Sequence, residues 1–344
     1  VSQPEKIMLA KEYMNKGLSR KIVLSITRVT RHQLYYKMKE SNAGRLPSVV
    51  TKYKDNETQE ITKKPNTEVV DQIIKIKQDP DQSNWYKLIT ARLKIQGYYI
   101  NHKKVYRLMD EYHLLEKAKR KIGRNFVKYR IVTPAGPLRV LEMDIKYVWI
   151  VGKASYGYIL TVIDTFTRYV LHWKVGLSMR EAQVKQVWDY IIVHYLQPAN
   201  MLEKGIDIEV RNDNGKQFCS TMIQQYFKDN YLGQVFTHPY TPEENAHVER
   251  FHRTLGKSLK LEFFKTLAQV EQRLIQFYIT YNNIRTHGSI AMLSPSMFWT
   301  LYEDNQITVV QVSKKRVRFI LNIPYQDVRC WNNIDRHNYR LVRA

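Results

Sequence analysis

The sequence predicts a multidomain chain in which N-terminal helical units precede an α/β core with a mixed sheet, and a small β-rich domain follows it. Three observations carry that reading. Across the first 115 residues apolar side chains recur at helical spacing, broken by one long polar run. From Leu138 three strand-like runs come in succession and then alternate with helical ones, a pattern that packs as layers around a sheet with parallel and antiparallel neighbours. Beyond Ile307 the pattern changes to short alternations: Val309-Val-Gln-Val, Val317-Arg-Phe-Ile-Leu, Val328-Arg-Cys-Trp and Tyr339-Arg-Leu-Val.

Taken in order, residues 1–40 read as a small helical unit. Ile7, Leu9, Ala10, Tyr13 and Met14 form one stripe, Gly17 breaks it, Ser19 can cap a second helix through Leu24, and Thr30 opens a third run from Arg31 to Lys39. That last run suits the recognition helix of a helix-turn-helix, with Arg31 and His32 as DNA contacts; a plain helical hairpin with Tyr35 and Tyr36 in a core or dimer contact is the other reading. Residues 41–66 hold Asn42-Ala-Gly, Pro47 and a polar run from Lys52 to Lys64, and read as a flexible linker. Its reach of roughly 25–30 Å would let a domain cross between subunits.

Residues 67–116 read as a second helical DNA-binding unit. Val69, Val70, Ile73, Ile74 and Ile76 stripe its first helix, and Asp79-Pro-Asp ends that helix. Trp85 to Ile95 forms the next, with Trp85 and Tyr86 packed inward, and Lys103 to Tyr112 the third, which offers Lys103, Lys104 and Arg107 to DNA. Residues 117–137 form a basic connector in which Lys119, Arg120, Lys121 and Arg124 would track phosphates without sequence preference.

The core, residues 138–265, is expected to hold strands at 138–151, 156–164, 168–175, 206–212 and 233–237, and helices at 179–195, 218–229 and from Glu243 onward. Helices over 266–306 would close over it, with Val270, Leu274, Phe277, Tyr278 and Tyr281 on one stripe of the run Leu267 to Asn283. Residues 307–344 are expected to be a small basic β-domain, a barrel among the options.

Composition limits the partners. The formal net charge is +23, and residues 1–130 carry 29 Lys+Arg against 13 Asp+Glu, so the excess lies mainly in the helical N-terminal third. That distribution points to a polyanion, with specific recognition expected in residues 1–115 and weaker, salt-sensitive binding in the remainder. No run approaches about eighteen apolar residues, so no membrane span is expected. The start shows no signal-peptide hydrophobic region, and the two cysteines, Cys219 and Cys330, form no CxxC pair. A cytoplasmic, nucleoid-associated setting fits these features.

The chemistry is expected from three acids. Asp144 sits within Val140-Leu-Glu-Met-Asp-Ile-Lys-Tyr-Val-Trp-Ile, Asp213 follows the apolar run Ile206–Val210, and Glu249 lies in a helical run with thirty-five residues between it and Asp213. Hard carboxylate ligands carried on separate elements suit Mg²⁺, with Mn²⁺ as a substitute, and two such ions cut phosphodiesters.

At these residues the chain resembles the transposases and integrases of the retroviral-integrase superfamily, and within it the bacterial insertion-sequence transposases of the IS-three group. The matching pieces are Asp144 in its strand; Val162-Ile-Asp-Thr-Phe-Thr-Arg-Tyr-Val; Asn212-Asp-Asn-Gly-Lys-Gln-Phe; Thr241 to Leu255, which contains Glu249; Tyr281-Asn-Asn-Ile-Arg-Thr-His; and Leu293-Ser-Pro. The resemblance covers roughly Thr67 to Trp299. It implies an RNase H-like core in which Asp144, Asp213 and Glu249 are the catalytic and metal-binding residues for two Mg²⁺ ions. It also implies double-stranded DNA as substrate, both element terminal repeats and target, handled by a homodimer or higher oligomer on paired ends.

The chain departs from the group in places. The basic residue usual seven positions after the glutamate is Gly256 here, while Arg253 and Lys257 share the helical face of Glu249 and, with Arg250, supply the DNA contacts. Glu244 and Thr286 replace the usual Asp and Pro. Asp164 is read as a noncatalytic acid, Glu142 as structural or peripheral, and Glu243 and Glu244 as acids at a helix start. His238, His247 and His252 have spacings that fit no compact zinc motif, so DNA contact or packing is expected of them. The competing functions are a noncatalytic transposase-derived DNA-binding regulator, a tyrosine recombinase, whose Arg/His set is not recognisable here, and a plain RNase H-type nuclease.

Overall fold

Ser2, Ser19 and Thr30 open three N-terminal helices: α1 (Gln3–Asn15), α2 (Arg20–Thr27) and α3 (Arg31–Tyr35). In the computed structural model, which describes residues 2–35, 47–55, 58–116, 134–202, 206–238, 242–313 and 316–328, they belong to a unit of their own over residues 1–48. Reciprocal bonds fix two of the starts: the Ser2 amide donates to Glu5 at 2.7 Å, and the Thr30 amide to Gln33 at 2.9 Å, with the Gln33 amide returning to the Thr30 hydroxyl. Ala10, Val23, Val29 and Leu34 form the small core. Arg31 and His32 are exposed on α3. The expected continuation of this helix past Tyr35 lies outside the described residues.

The second unit begins at Val49, and here the linker reading is corrected for residues 50–54 and 61–65, while residues 41–46 lie outside the described residues. Strands β1 (Val50–Lys54) and β2 (Ile61–Pro65) form an antiparallel hairpin inside it, followed by α4 (Asn66–Gln78), α5 (Tyr86–Ile95), β3 (Tyr98–Tyr99) and α6 (His102–Glu111). The sheet order is β2-β1-β3, so the first part of this unit is a three-helix module with a sheet against it. The strand signal was hidden because its inward face is small: Thr51 is buried and Tyr53 packs on Tyr98 with ring centroids 4.9 Å apart, while lysines fill most alternate positions. Gly97 permits the closure. Its φ is +105°, and a Cβ there would stand 2.4 Å from the Lys54 carbonyl oxygen.

The expected interior helix stripe holds for Val69, Val70, Ile73 and Ile76, which pack with Ile89, Leu93, Val105, Leu108 and Met109. Trp85 corrects another expectation: it precedes α5, is 47% exposed, and carries the Lys87 ammonium 5.4 Å from its ring, while its neighbour Tyr86 does pack on the core of the module.

The five-stranded sheet and its helices follow. Strands β4 (Val140–Ile150), β5 (Ser155–Asp164) and β6 (Val170–Gly176) are antiparallel neighbours; α7 (Glu181–Ile191), β7 (Ile208–Asn212), α8 (Thr221–Asp229) and β8 (Leu232–Phe236) come next, with β7 parallel to both β4 and β8. The sheet order is β6-β5-β4-β7-β8. Alternation along β4 decides its two faces. Leu141 and Met143 enter a core with Val184, Val187 and Trp188 of α7 and Ile223 and Phe227 of α8. On the opposite face Ile150, with Ile159 and Ile163 of β5, packs under helices α9 (Ala246–Ser258) and α10 (Leu267–Asn283), which contribute Val248, Phe251, Leu255, Val270, Leu274, Phe277, Tyr278 and Tyr281.

The last described elements are α11 (Pro295–Glu303), β9 (Ile307–Ser313) and β10 (Arg316–Leu321). They correct the expectation of a separate β-domain for their part of residues 307–344. The hairpin β9–β10 is the only sheet pairing that either strand makes among the described residues, and Ile307, Phe319, Leu321 and Val328 pack with Phe166, Phe298 and Leu301. Residues 329–344 lie outside the described residues.

Candidate active site

Parallel pairing brings the first two acids together. Glu142 of β4 lies opposite Arg211 of β7, so Asp144, within β4, and Asp213, just past the end of β7, come level where the parallel pairing of the two strands stops. Burial raises the Asp213 pKa, the charge of Asp144 raises it further, and the Gly215 amide, donating to its Oδ1 at 3.0 Å, opposes the rise. Asp144 Oδ1 accepts the Ile145 amide at 2.7 Å, and its Oδ2 lies 3.1 Å from His252 Nδ1.

Helix α9 is laid along β4 in a fixed register. The amides of His247 and Val248 donate to Glu142 Oε2 at 2.9 and 2.8 Å, and His247 Nδ1 lies 2.7 Å from Oε1. One turn on, His252 meets Asp144; another turn on, Gly256 lies over Lys146. Four helical residues rise about 6 Å and two strand residues about 6.6 Å, so positions 248, 252 and 256 keep step with 142, 144 and 146. Glu249 is partly buried in the first turn of α9, one residue round from this stripe, and Arg250, Arg253 and Lys257 are exposed on the same helix.

Glu142 is the residue that sequence reasoning undervalued. It is fully buried and takes the place of an N-cap side chain, since Asn245 at that position makes no capping bond. Burial pushes its pKa up to about 7, opposed by the Val248 amide and by the charges of Arg168 and Arg211, while Asp144 adds to the rise. The signal was its place two residues before Asp144, on the same strand face.

Other expected residues sort as follows. Asp164 is fully buried and occupied by the Thr167 amide and hydroxyl at 2.9 and 2.6 Å, the Leu138 amide at 3.2 Å and the Phe166 amide at 3.4 Å, so it closes the β5–β6 turn. The three histidines each meet a different acid, His238 with Glu244, His247 with Glu142 and His252 with Asp144. Lys104, expected as a DNA contact, has an ammonium that donates to the Val50 carbonyl at 2.7 Å and the Thr51 hydroxyl at 2.8 Å and fastens α6 to β1. Arg107 stands 3.6 Å from Glu111, and Lys103 is exposed. Lys119, Arg120, Lys121 and Arg124 lie outside the described residues.

Among the described residues no group of three His, Cys, Asp or Glu side chains stands in metal-holding geometry. Two carboxylates do meet, and Asp144 adds to the rise in the Asp213 pKa. Such a pair fits Mg²⁺, which binds through one or two carboxylates and takes its other ligands from water and substrate phosphates. No described helix is long and apolar enough to cross a membrane.

Comparison with known proteins agrees with this architecture. Residues 134–242 match one integrase core domain family and residues 232–295 a second family of the same description. A 39.2 kDa protein of insertion element IS476 from Xanthomonas euvesicatoria is 27% identical over 212 residues, 60% of this chain and 58% of that protein. A 31.7 kDa protein of IS407 from Burkholderia multivorans is 26% identical, covering 62% and 74%, and the transposase of IS904 from Lactococcus lactis is 25% identical, covering 61% and 85%. The chain thus matches little more than half the length of the Xanthomonas protein. The catalytic core domain of BIV integrase aligns over 49% of this chain and 97% of its own, at 21% identity and a TM-score of 0.36. The five-stranded mixed sheet of order β6-β5-β4-β7-β8 lies within residues 134–295, where the chain matches integrase core domains and is similar to proteins of bacterial insertion elements.

Proposed function

We propose that this chain carries out metal-dependent cleavage and strand transfer at the ends of an insertion-sequence element. The observation that carries the reading is that Asp144 of β4 and Asp213, just past the end of the parallel neighbour β7, come level, with Asp144 beneath α9. Asp144 and Asp213 would hold a divalent cation, and Glu249, brought by α9, would complete the ligand set for a second. Bound Mg²⁺ supplies charge stabilisation at phosphorus and an activated water or 3′-hydroxyl. The chain's own residues do the rest. His252 holds the orientation of Asp144, Glu142 fixes where α9 begins, and Arg250, Arg253 and Lys257 attract the phosphates of double-stranded DNA. Two catalytic centres working on paired ends require at least a dimer.

Nicking of end-bearing DNA with Mg²⁺ tests the proposal. Asp144→Asn, Asp213→Asn and Glu249→Gln should each abolish cleavage and strand transfer while DNA binding persists, because neutral amides keep the shape and weaken metal ligation. Wild-type activity in any one variant removes that residue from the site. A wild-type protein that binds such DNA and never nicks it favours the regulator reading. Excess Asp213→Asn protein should poison joining by wild type if the active species is an oligomer.

A further inference from the structure

We propose that Lys146 is a phosphodiester-binding residue beside the acid pair, seated by Gly256; this rests on the DNA-processing reading above. Period two puts Lys146 on the same face of β4 as Asp144, about 6.6 Å further along. Its side chain is partly buried, and among the described residues its ammonium has neither hydrogen bond nor ion pair. A lysine that only covered apolar surface would send its head to water. Here the head lies against α9: a Cβ at position 256 would stand 3.2 Å from both Cε and Nζ of Lys146.

Glycine within a helix costs about 1 kcal/mol relative to alanine, and Gly256 is the third residue from the end of α9. The space it leaves is the space the lysine occupies. The carboxylate two residues away is engaged elsewhere, since Asp144 meets His252 and lies beside Asp213. A cation on the strand face of Asp144, unpaired among the described residues, lying against position 256 and flanked on α9 by exposed Arg253 and Lys257, is placed for an anion that arrives with the substrate. The chemical class is a DNA phosphodiester adjoining the bond to be cut.

The test is the salt dependence of binding by the full chain to a labelled random-sequence DNA duplex, measured without divalent metal. Lys146→Ala should reduce the slope of log K against log salt by about 0.9, the value of one phosphate contact. Lys146→Arg should keep the slope, and Lys146→Ala combined with Gly256→Lys should restore it, because the second lysine re-enters the same space from the helix. Lys185→Ala, which removes a charge paired with Asp189 on α7, serves as a control and should leave the slope unchanged. An unaltered slope for Lys146→Ala, with melting like wild type, overturns the proposal. So does a loss that Gly256→Lys fails to recover while Lys146→Arg also loses the contact. A reduced slope in a protein whose wild type never nicks DNA with Mg²⁺ keeps the phosphate contact and defeats the cleavage reading instead.

Discussion

Replacing Glu142 tests whether α9 is positioned from the strand below it. In Glu142→Ala the amides of His247 and Val248 lose their acceptor, and His247 Nδ1 loses its partner, all at a residue that is fully buried. Leaving a buried donor unsatisfied costs about 1–3 kcal/mol, so the two amides put the sum at roughly 2–6 kcal/mol. Glu142→Gln keeps one acceptor oxygen and should lose about 1–2 kcal/mol. Thermal melting should show this order, with Ala well below Gln and Gln below wild type. At temperatures where the variants are folded, nicking by Glu142→Gln should fall further than DNA affinity, since the start of the helix that carries Glu249 is loosened while Arg250, Arg253 and Lys257 stay exposed. If Glu142→Ala melts and nicks like wild type, the bonds to α9 contribute nothing and the positioning argument fails.

Two further perturbations follow from the same structure. Gly97→Ala should destabilise the β1–β2–β3 module by about 1–3 kcal/mol, because φ is +105° and the new Cβ would meet the Lys54 carbonyl oxygen at 2.4 Å; hydrogen exchange localised to residues 50–54 and 98–99 should report it. His172, stacked on Tyr190 at 4.0 Å, has its pKa lowered to about 4 by burial and then by the charges of Lys174 and His194. The unfolded chain therefore takes up a proton that the folded chain refuses, so stability is full above about pH 6.5 and falls as pH drops from 6.5 toward 4, by up to about 3 kcal/mol. Denaturant midpoints across that range should show the loss, and His172→Phe should flatten its share.

What the sequence made legible was whatever had a strong period or a fixed spacing. The alternation in Val140–Ile150, the stripe of Leu267–Asn283 and the placement of Asp144, Asp213 and Glu249 on different elements are read from the chain, and the core strands are found within a few residues of their expected positions. What escaped has a physical reason in each case. The β1–β2 hairpin carries its inward signal on Thr51 and Tyr53 alone, too little to stand out from its lysines. Lys104 looks like any exposed lysine of an amphipathic helix until β1 arrives from fifty residues earlier to accept its protons. The step between α9 and β4 depends on two repeats from distant parts of the chain coinciding in space, which local spacing cannot report.

Where the chain can be divided also follows from contacts that no local pattern reveals. Asp81, in the loop after α4, is buried and held by Arg273 of α10 through bonds of 2.9 and 2.7 Å and by the Ser258 hydroxyl at the end of α9; Arg285 donates to its carbonyl at 2.5 Å, and Arg273 also reaches Glu262. The Thr286 hydroxyl donates to the Leu88 carbonyl at 3.4 Å. The expected separation of residues 1–115 from the core therefore cuts through a buried ion pair, and removing one side of such a pair costs about 3–5 kcal/mol. Deleting residues 1–48 removes a unit with its own core and should leave a protein that melts cooperatively near the full chain. Deleting residues 1–116 leaves Arg273 without Asp81 and should give a product that melts markedly lower or aggregates, and Asp81→Ala in the full chain should reproduce much of that loss. Equal melting of the two truncations would show that the module and the core are independent. Failure of Asp81→Ala to destabilise would show that other contacts join them.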